Sequence, residues 1–160
     1  MDKSCLKTGF GFGLASGIIT TLGLMIGLYS STNSRGVVLG GILTIAIADA
    51  FSDAMGIHFS EEIEGVHTTK EIWISTVVTF FSKFFVSLSF VVAILLFPLK
   101  IGIFLNVFLS FLLVGIFSYV VAKSLNNSPW KAIIEHFLIM IVVIVVTYYA
   151  GRGIDFLFLD

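Results

Sequence analysis

Between about Gly9 and Ala150 the chain is a succession of five apolar runs separated by short polar turns. A helix needs about 20 apolar residues to cross the roughly 30 Å hydrocarbon core of a bilayer. Inside that core each backbone polar group must be satisfied within its own helix or barrel. The runs therefore predict membrane-spanning helices over about 9–29, 37–59, 72–97, 101–122 and 132–150. Ser30–Gly36 breaks the first pair, Ser60–Glu71 the second, Pro98 and Lys100 the third, and Lys123–Asn127 the fourth. Ser128-Pro129-Trp130 reads as a helix start, with proline at the first helical position. Composition agrees. Charged residues are 12% of the chain and apolar ones 58%, with a mean hydropathy of +1.08. Soluble domains carry about 25% charged residues, so this chain cannot cover a water-facing surface. The expected fold class is all-α: one polytopic transmembrane domain over 1–160, with no separate soluble domain.

Several functions are excluded at this level. The formal net charge of −1 provides no basic field for nucleic acid. The single cysteine, Cys5, makes neither an internal disulfide nor a thiolate cluster and reads as a spectator. No nucleophile–base set, Walker loop, GxGxxG or HExxH occurs, so no enzymatic activity and no tightly bound cofactor are expected. Five spans put the termini on opposite sides. Lys3, Lys7, Lys70, Lys123 and Lys131 fall on one side, against Arg35, Lys100 and Arg152 on the other. The positive-inside rule then predicts a cytoplasmic amino terminus and an external or luminal carboxyl terminus. The first span has no small-residue cleavage site and reads as a retained helix. With its compact size and no targeting signal, the chain is expected in a prokaryotic cell membrane.

The functional information lies in the polar residues inside the spans. Asp49 and Asp53 are one helical turn apart on span two. A mid-membrane aspartate costs about 2.5–3.5 kcal/mol on an insertion scale, so two on one face are not expected to face lipid. They line water, pair with a cation or carry protons, which makes them candidates for an ion or proton path; the alternative is a structural charge pair. Lys83, on span three, lies about 16 Å from the same hairpin end as Asp49 at 1.5 Å per residue. A salt bridge that an arriving cation breaks and a static pair that makes insertion tolerable are both open. Oxygen ligands suit hard divalent cations, while Met55 would add a softer thioether, although it is off the aspartate stripe. Around the second break, Glu61, Glu62, Glu64, His67 and Glu71, with His58 before them, form either a loose binding loop for Fe²⁺ or Mn²⁺ or a solvated charge run. Glu135 and His136 are weaker candidates.

Span one is rich in small residues. Gly13 and Gly17, and Gly23 and Gly27, form two GxxxG pairs, and Ser16, Thr20, Gly23 and Gly27 share one stripe. Such a stripe suits close helix packing, a dimer seam or a hydroxyl-lined pore wall.

Residues 15–27, ASGIITTLGLMIG, resemble the first-helix signature of the vacuolar iron transporter family, and residues 48–60, ADAFSDAMGIHFS, resemble its second-helix signature. The tail YYAGRGI at 148–154 is similar to that family's closing motif. The resemblance implies five spans and a homodimer whose ion path runs between the first helices, with Gly13, Gly17, Gly23 and Gly27 at the seam. It implies proton-coupled movement of Fe²⁺, and often Mn²⁺, out of the cytosol. For transport along that path, Asp53, with Asp49, Ser16 and Thr20, is expected to hold the metal within the membrane, and Asp49 with Lys83, a residue outside the family pattern, is expected to couple or gate it. The sequence also departs from the family. Ser16 stands where the family has a liganding aspartate, Asp53 where it has a methionine, and Ile57 where it has a glutamate. The family's helical metal-binding domain between spans two and three is missing. Outside transport by this route, the alternatives are a membrane metal sensor or scaffold working through the acidic loop, and a carrier of a monovalent ion or small solute.

Overall fold

The computed structural model describes the backbone of residues 3–158 and the side chains of residues 5–158. Among these residues there are five helices and no strands: α1 (Lys3–Thr32), α2 (Arg35–Glu64), α3 (Thr69–Leu96), α4 (Leu99–Ser124) and α5 (Pro129–Phe158). All five are long and apolar enough to cross a membrane, which makes this an all-α, multi-pass membrane architecture.

Each break has a local cause. Asn33 and Asn126 adopt left-handed backbone (φ 46° and 57°), the conformation that closes a helix and that asparagine tolerates better than most residues. Gly65 (φ 65°) ends α2 in the same way. The backbone N–H and hydroxyl of Thr68 both donate to Glu71 Oε2, at 3.1 and 2.8 Å, so a capping interaction starts α3. Pro98, with extended ψ (142°), precedes α4, and Pro129 opens α5. The Arg35 guanidinium donates to the carbonyl of Phe97, at the end of α3.

The helices exceed the spans expected from hydropathy at most ends, because a helix continues past the apolar core until a stop signal. Two of these differences matter. The expected dozen-residue acidic loop shrinks to residues 65–68, since α2 carries Ser60–Glu64 as helix. At the other end, Gly151-Arg152-Gly153 was expected to follow the fifth span, yet α5 continues through it to Phe158. Gly151 is there for close approach: a Cβ on it would overlap Ser30 Oγ and the backbone oxygen of Gly27. Arg152 pairs with Asp155 on the helix surface at 2.6 Å.

The chain divides into two compact units. One comprises residues 1–21 and 42–91, the other 22–41 and 92–160. In the first, α1 and α3 meet through small residues. Gly9, Gly13 and Gly17 face Ser75, Thr79 and Lys83, and Thr79 Oγ1 lies 3.2 Å from the Gly9 carbonyl. One step along this stripe, the Thr21 hydroxyl donates to Ser87 Oγ at 2.8 Å. On α2, Ile42, Ala46, Ala50 and Ala54 recur every four residues as the buried stripe. In the second unit, Gly23 and Gly27 face Val143 and Thr147 of α5, and the Ser30 hydroxyl donates to the Tyr148 carbonyl at 3.0 Å. The buried face of α4 is Asn106, Ser110, Val114 and Ser118, and Asn106 Nδ2 reaches the Met25 thioether at 3.4 Å.

The four glycines expected at a dimer seam thus meet helices of their own chain. Membrane helices associate by close van der Waals packing, so such contacts carry much of the stability. A Cβ on Gly13 would lie 2.6 Å from the Thr79 backbone oxygen, which cannot move aside cheaply. Gly13→Ala is expected to cost about 1–3 kcal/mol as overpacking. A lowered melting temperature in detergent micelles, with no loss in Gly40→Ala, whose Cβ would meet nothing within 4 Å, is the result to look for.

Candidate intramembrane ion site

Lys83 is the largest fully buried side chain among the described residues, at 0% exposure. It can lie there because Gly17 has no side chain. A Cβ at Gly17 would sit 3.3 Å from both Cα and Cγ of Lys83, so the aliphatic stem occupies the space that glycine leaves. The stem carries Nζ to oxygens on two other helices. Nζ lies 2.5 Å from Asp49 Oδ2 and 2.5 Å from Asp53 Oδ2 on α2, and it donates to Ser16 Oγ on α1 at 2.9 Å. The Asp53 contact is an aligned hydrogen bond, whereas Asp49 Oδ2 is close to the ammonium without that alignment. All of these residues belong to the first unit.

The helical period explains why both aspartates reach one ammonium. Asp49 and Asp53 are one turn apart and each directly precedes a buried alanine, Ala50 and Ala54. They therefore flank the packed stripe instead of lying in it. Their side chains remain 27% and 18% exposed, while Lys83 is sealed. The cluster thus has an enclosed cationic side and a more open anionic side. With both carboxylates ionised and the amine protonated it carries a net charge of −1.

Of the residues expected to bind metal in the membrane, the structure gathers Asp49, Asp53 and Ser16 and leaves out two. Thr20 Oγ1 donates to the Ser16 carbonyl at 2.9 Å, so its hydroxyl is engaged on its own helix. Met55 is exposed on α2, away from the packed stripe that the aspartates flank. Without it, the donors around Lys83 are all oxygens. Thr21, the neighbour of Thr20, provides the inward hydroxyl through Ser87. Hydropathy could not choose between the two adjacent threonines.

The acidic stretch after the second span separates into different environments. Glu61 is buried (6% exposed) and lies 3.3 Å from His67 through Oε2 and Nε2. Glu62 is exposed and faces His58 Nε2 at 3.5 Å, and His58 Nδ1 lies 2.9 Å from Thr76 Oγ1. Glu64 is exposed, and Glu71 caps α3. The residues expected to act together as one loose loop are thus divided by the rotation of about 100° per residue along the end of α2. Cys5, read from the sequence as a spectator, is buried beside Glu61 and His67. Glu135 pairs with Lys131 at 3.9 Å on the surface of α5, and His136 Nδ1 lies 2.7 Å from Ser118 Oγ. No family model and no curated protein matches this sequence.

Proposed function

We propose that the chain exchanges a divalent metal ion, Fe²⁺ or Mn²⁺, for protons across a membrane, in the manner that its resemblance to the vacuolar iron transporter family implies. One observation carries this reading: a fully buried amine held by two carboxylates that stay partly open, inside helices long enough to span a bilayer. Charge in such a place is expensive and is characteristic of ion and proton pathways.

The residues suggest a cycle. In the empty state Lys83 neutralises one of the two carboxylate charges. A divalent ion arriving on the open side competes with the ammonium for Asp49 and Asp53, with Ser16 Oγ as a neutral donor. Two carboxylates balance the ion's charge, which leaves the Lys83 ammonium as an uncompensated charge in a low-dielectric bundle. Releasing its proton takes the loaded site from +1 to neutral, and reprotonation from the opposite phase displaces the ion. An all-oxygen donor set suits hard Mn²⁺, with Fe²⁺ at the softer limit, and disfavours Cu⁺. The transport direction out of the cytosol and the homodimer follow from the resemblance and the lysine–arginine count, and with location in a prokaryotic cell membrane they belong to the same proposal.

The test is purified protein in liposomes loaded with a pH-sensitive dye. Mn²⁺ or Fe²⁺ gradients are expected to drive proton flux in the wild type. Asp53→Asn, which keeps shape and removes charge, is expected to abolish that flux while the protein remains folded and monodisperse. Full flux in Asp53→Asn refutes the mechanism. The competing reading, favoured by the complete burial of Lys83, is a static ion pair in a membrane scaffold or sensor. It requires the absence of metal-driven proton flux in the wild type as well.

A further inference from the structure

At the far end of the first unit, three side chains of different chemistry converge. Cys5 lies near the start of α1, Glu61 in the last turn of α2, and His67 in the short connection to α3. One donor atom from each lies within 4.8 Å of the others. Cys5 and Glu61 are buried and His67 is half-buried, so this is an enclosed cluster rather than a solvated acidic surface.

Two details point to a ligand. Glu61 is more than nine-tenths buried, yet its Oε2 accepts no hydrogen bond among the described residues. The His67 ring, 3.3 Å away, is close without being an aligned donor. A buried carboxylate oxygen left in this way is costly. A separation of 3.3 Å is also the spacing expected of two ligands on a tetrahedral ion with bonds of about 2.0–2.1 Å. The Cys5 sulfur, within 4.8 Å of both, has to close by no more than about 1 Å to complete a three-ligand face.

We propose that Cys5, Glu61 and His67 form a three-ligand site for a borderline divalent transition-metal ion of the Zn²⁺ class, with the fourth position open. Sulfur, nitrogen and oxygen together select such an ion over Mg²⁺ or Ca²⁺, which prefer oxygen alone. Binding replaces the Cys5 thiol proton with the metal and releases that proton to solvent. The site is distinct from the Lys83 cluster, since Glu61 lies two helical turns beyond Asp53, about 12 Å along α2. It does not rest on the exchange reading. A bound ion ties the beginning of α1 to the α2–α3 hairpin, the helices that provide Ser16, Asp49, Asp53 and Lys83.

The experiment is a Co²⁺ titration of the full chain in detergent micelles under a non-thiol reductant. The expected result is a near-ultraviolet thiolate–Co²⁺ charge-transfer band that saturates at one ion per chain and is displaced by Zn²⁺. Cys5→Ser removes the band. Glu61→Gln and His67→Ala weaken binding by more than the roughly tenfold loss that an outer-shell partner alone costs. Glu64→Gln and the Asp49→Asn/Asp53→Asn double variant keep the band unchanged, which separates this site from the exchange mechanism. His67→Ala lies outside the helices and provides a readout should Cys5→Ser disturb folding. Absence of the band at saturating Co²⁺, or a band indifferent to both Glu61→Gln and His67→Ala, overturns the site.

Discussion

Lys83→Met is expected to lower stability by about 3–5 kcal/mol, the range for removing one partner of a buried ion pair. Methionine matches the length of the lysine stem, so packing against Gly17 is largely kept and the loss is electrostatic. Asp49 and Asp53 are then left one turn apart with no countercharge, each having lost a contact of 2.5 Å. The companion is the triple variant Lys83→Met/Asp49→Asn/Asp53→Asn. It removes all three charges together, and a neutral set of similar shape is expected to regain most of the lost stability, because replacing a whole buried ionic group is often neutral. Neither variant is expected to support metal-driven proton flux. Melting in micelles combined with the liposome assay separates the two roles. A single variant as stable as the wild type means that the carboxylates are neutralised by something other than Lys83. A flux-competent triple variant ends the exchange mechanism.

The second large effect is expected at Gly151. A Cβ there would overlap both a side-chain oxygen, Ser30 Oγ, and a backbone oxygen, that of Gly27. Ser30 Oγ is held on the Gly27 and Tyr148 carbonyls at 3.0 Å each and has little freedom to yield. Gly151→Ala must therefore push α1 and α5 apart along this contact, and a loss at or above the upper end of the overpacking range, about 3 kcal/mol, is expected. Two residues later, a Cβ on Gly153 would meet nothing within 4 Å. Gly153→Ala is expected to be neutral, or to gain part of the roughly 0.5–1 kcal/mol that alanine holds over glycine in a helix. A thermal melt of the two variants side by side tests the assignment. Equal melting temperatures would show that Gly151 is not a point of close approach.

These two glycines also show why the end of α5 is not legible in the sequence. Gly-Arg-Gly after an apolar run has the composition of a terminator. The same two glycines suit a helix that presents one bare backbone patch to a neighbour, and only the neighbour distinguishes the cases. The acidic stretch went the same way. Glu61, Glu62 and Glu64 are chemically alike on paper, but one more turn of α2 buries the first and exposes the other two. Cys5 lies so far along the chain from Glu61 and His67 that no spacing rule links them. The pairing of Lys83 with span two was easier to anticipate, because a hairpin of two helices fixes which depths coincide. The structure added Asp53 and Ser16 to Asp49.

The sequence alone determined the five helices, their breaks, and the presence of one lysine and two aspartates within the apolar runs. Chain length against bilayer thickness, and the cost of charge in hydrocarbon, leave few alternatives. It could not determine which way each helix faces. Lipid is as apolar as leucine, so a helix that is apolar all round has no hydrophobic reason to prefer one side. The choice falls to close packing of small residues: Gly9, Gly13 and Gly17 against α3, and Gly23, Gly27 and Gly151 where α1 meets α5. That packing buried Lys83 between two carboxylates and brought Cys5, Glu61 and His67 together.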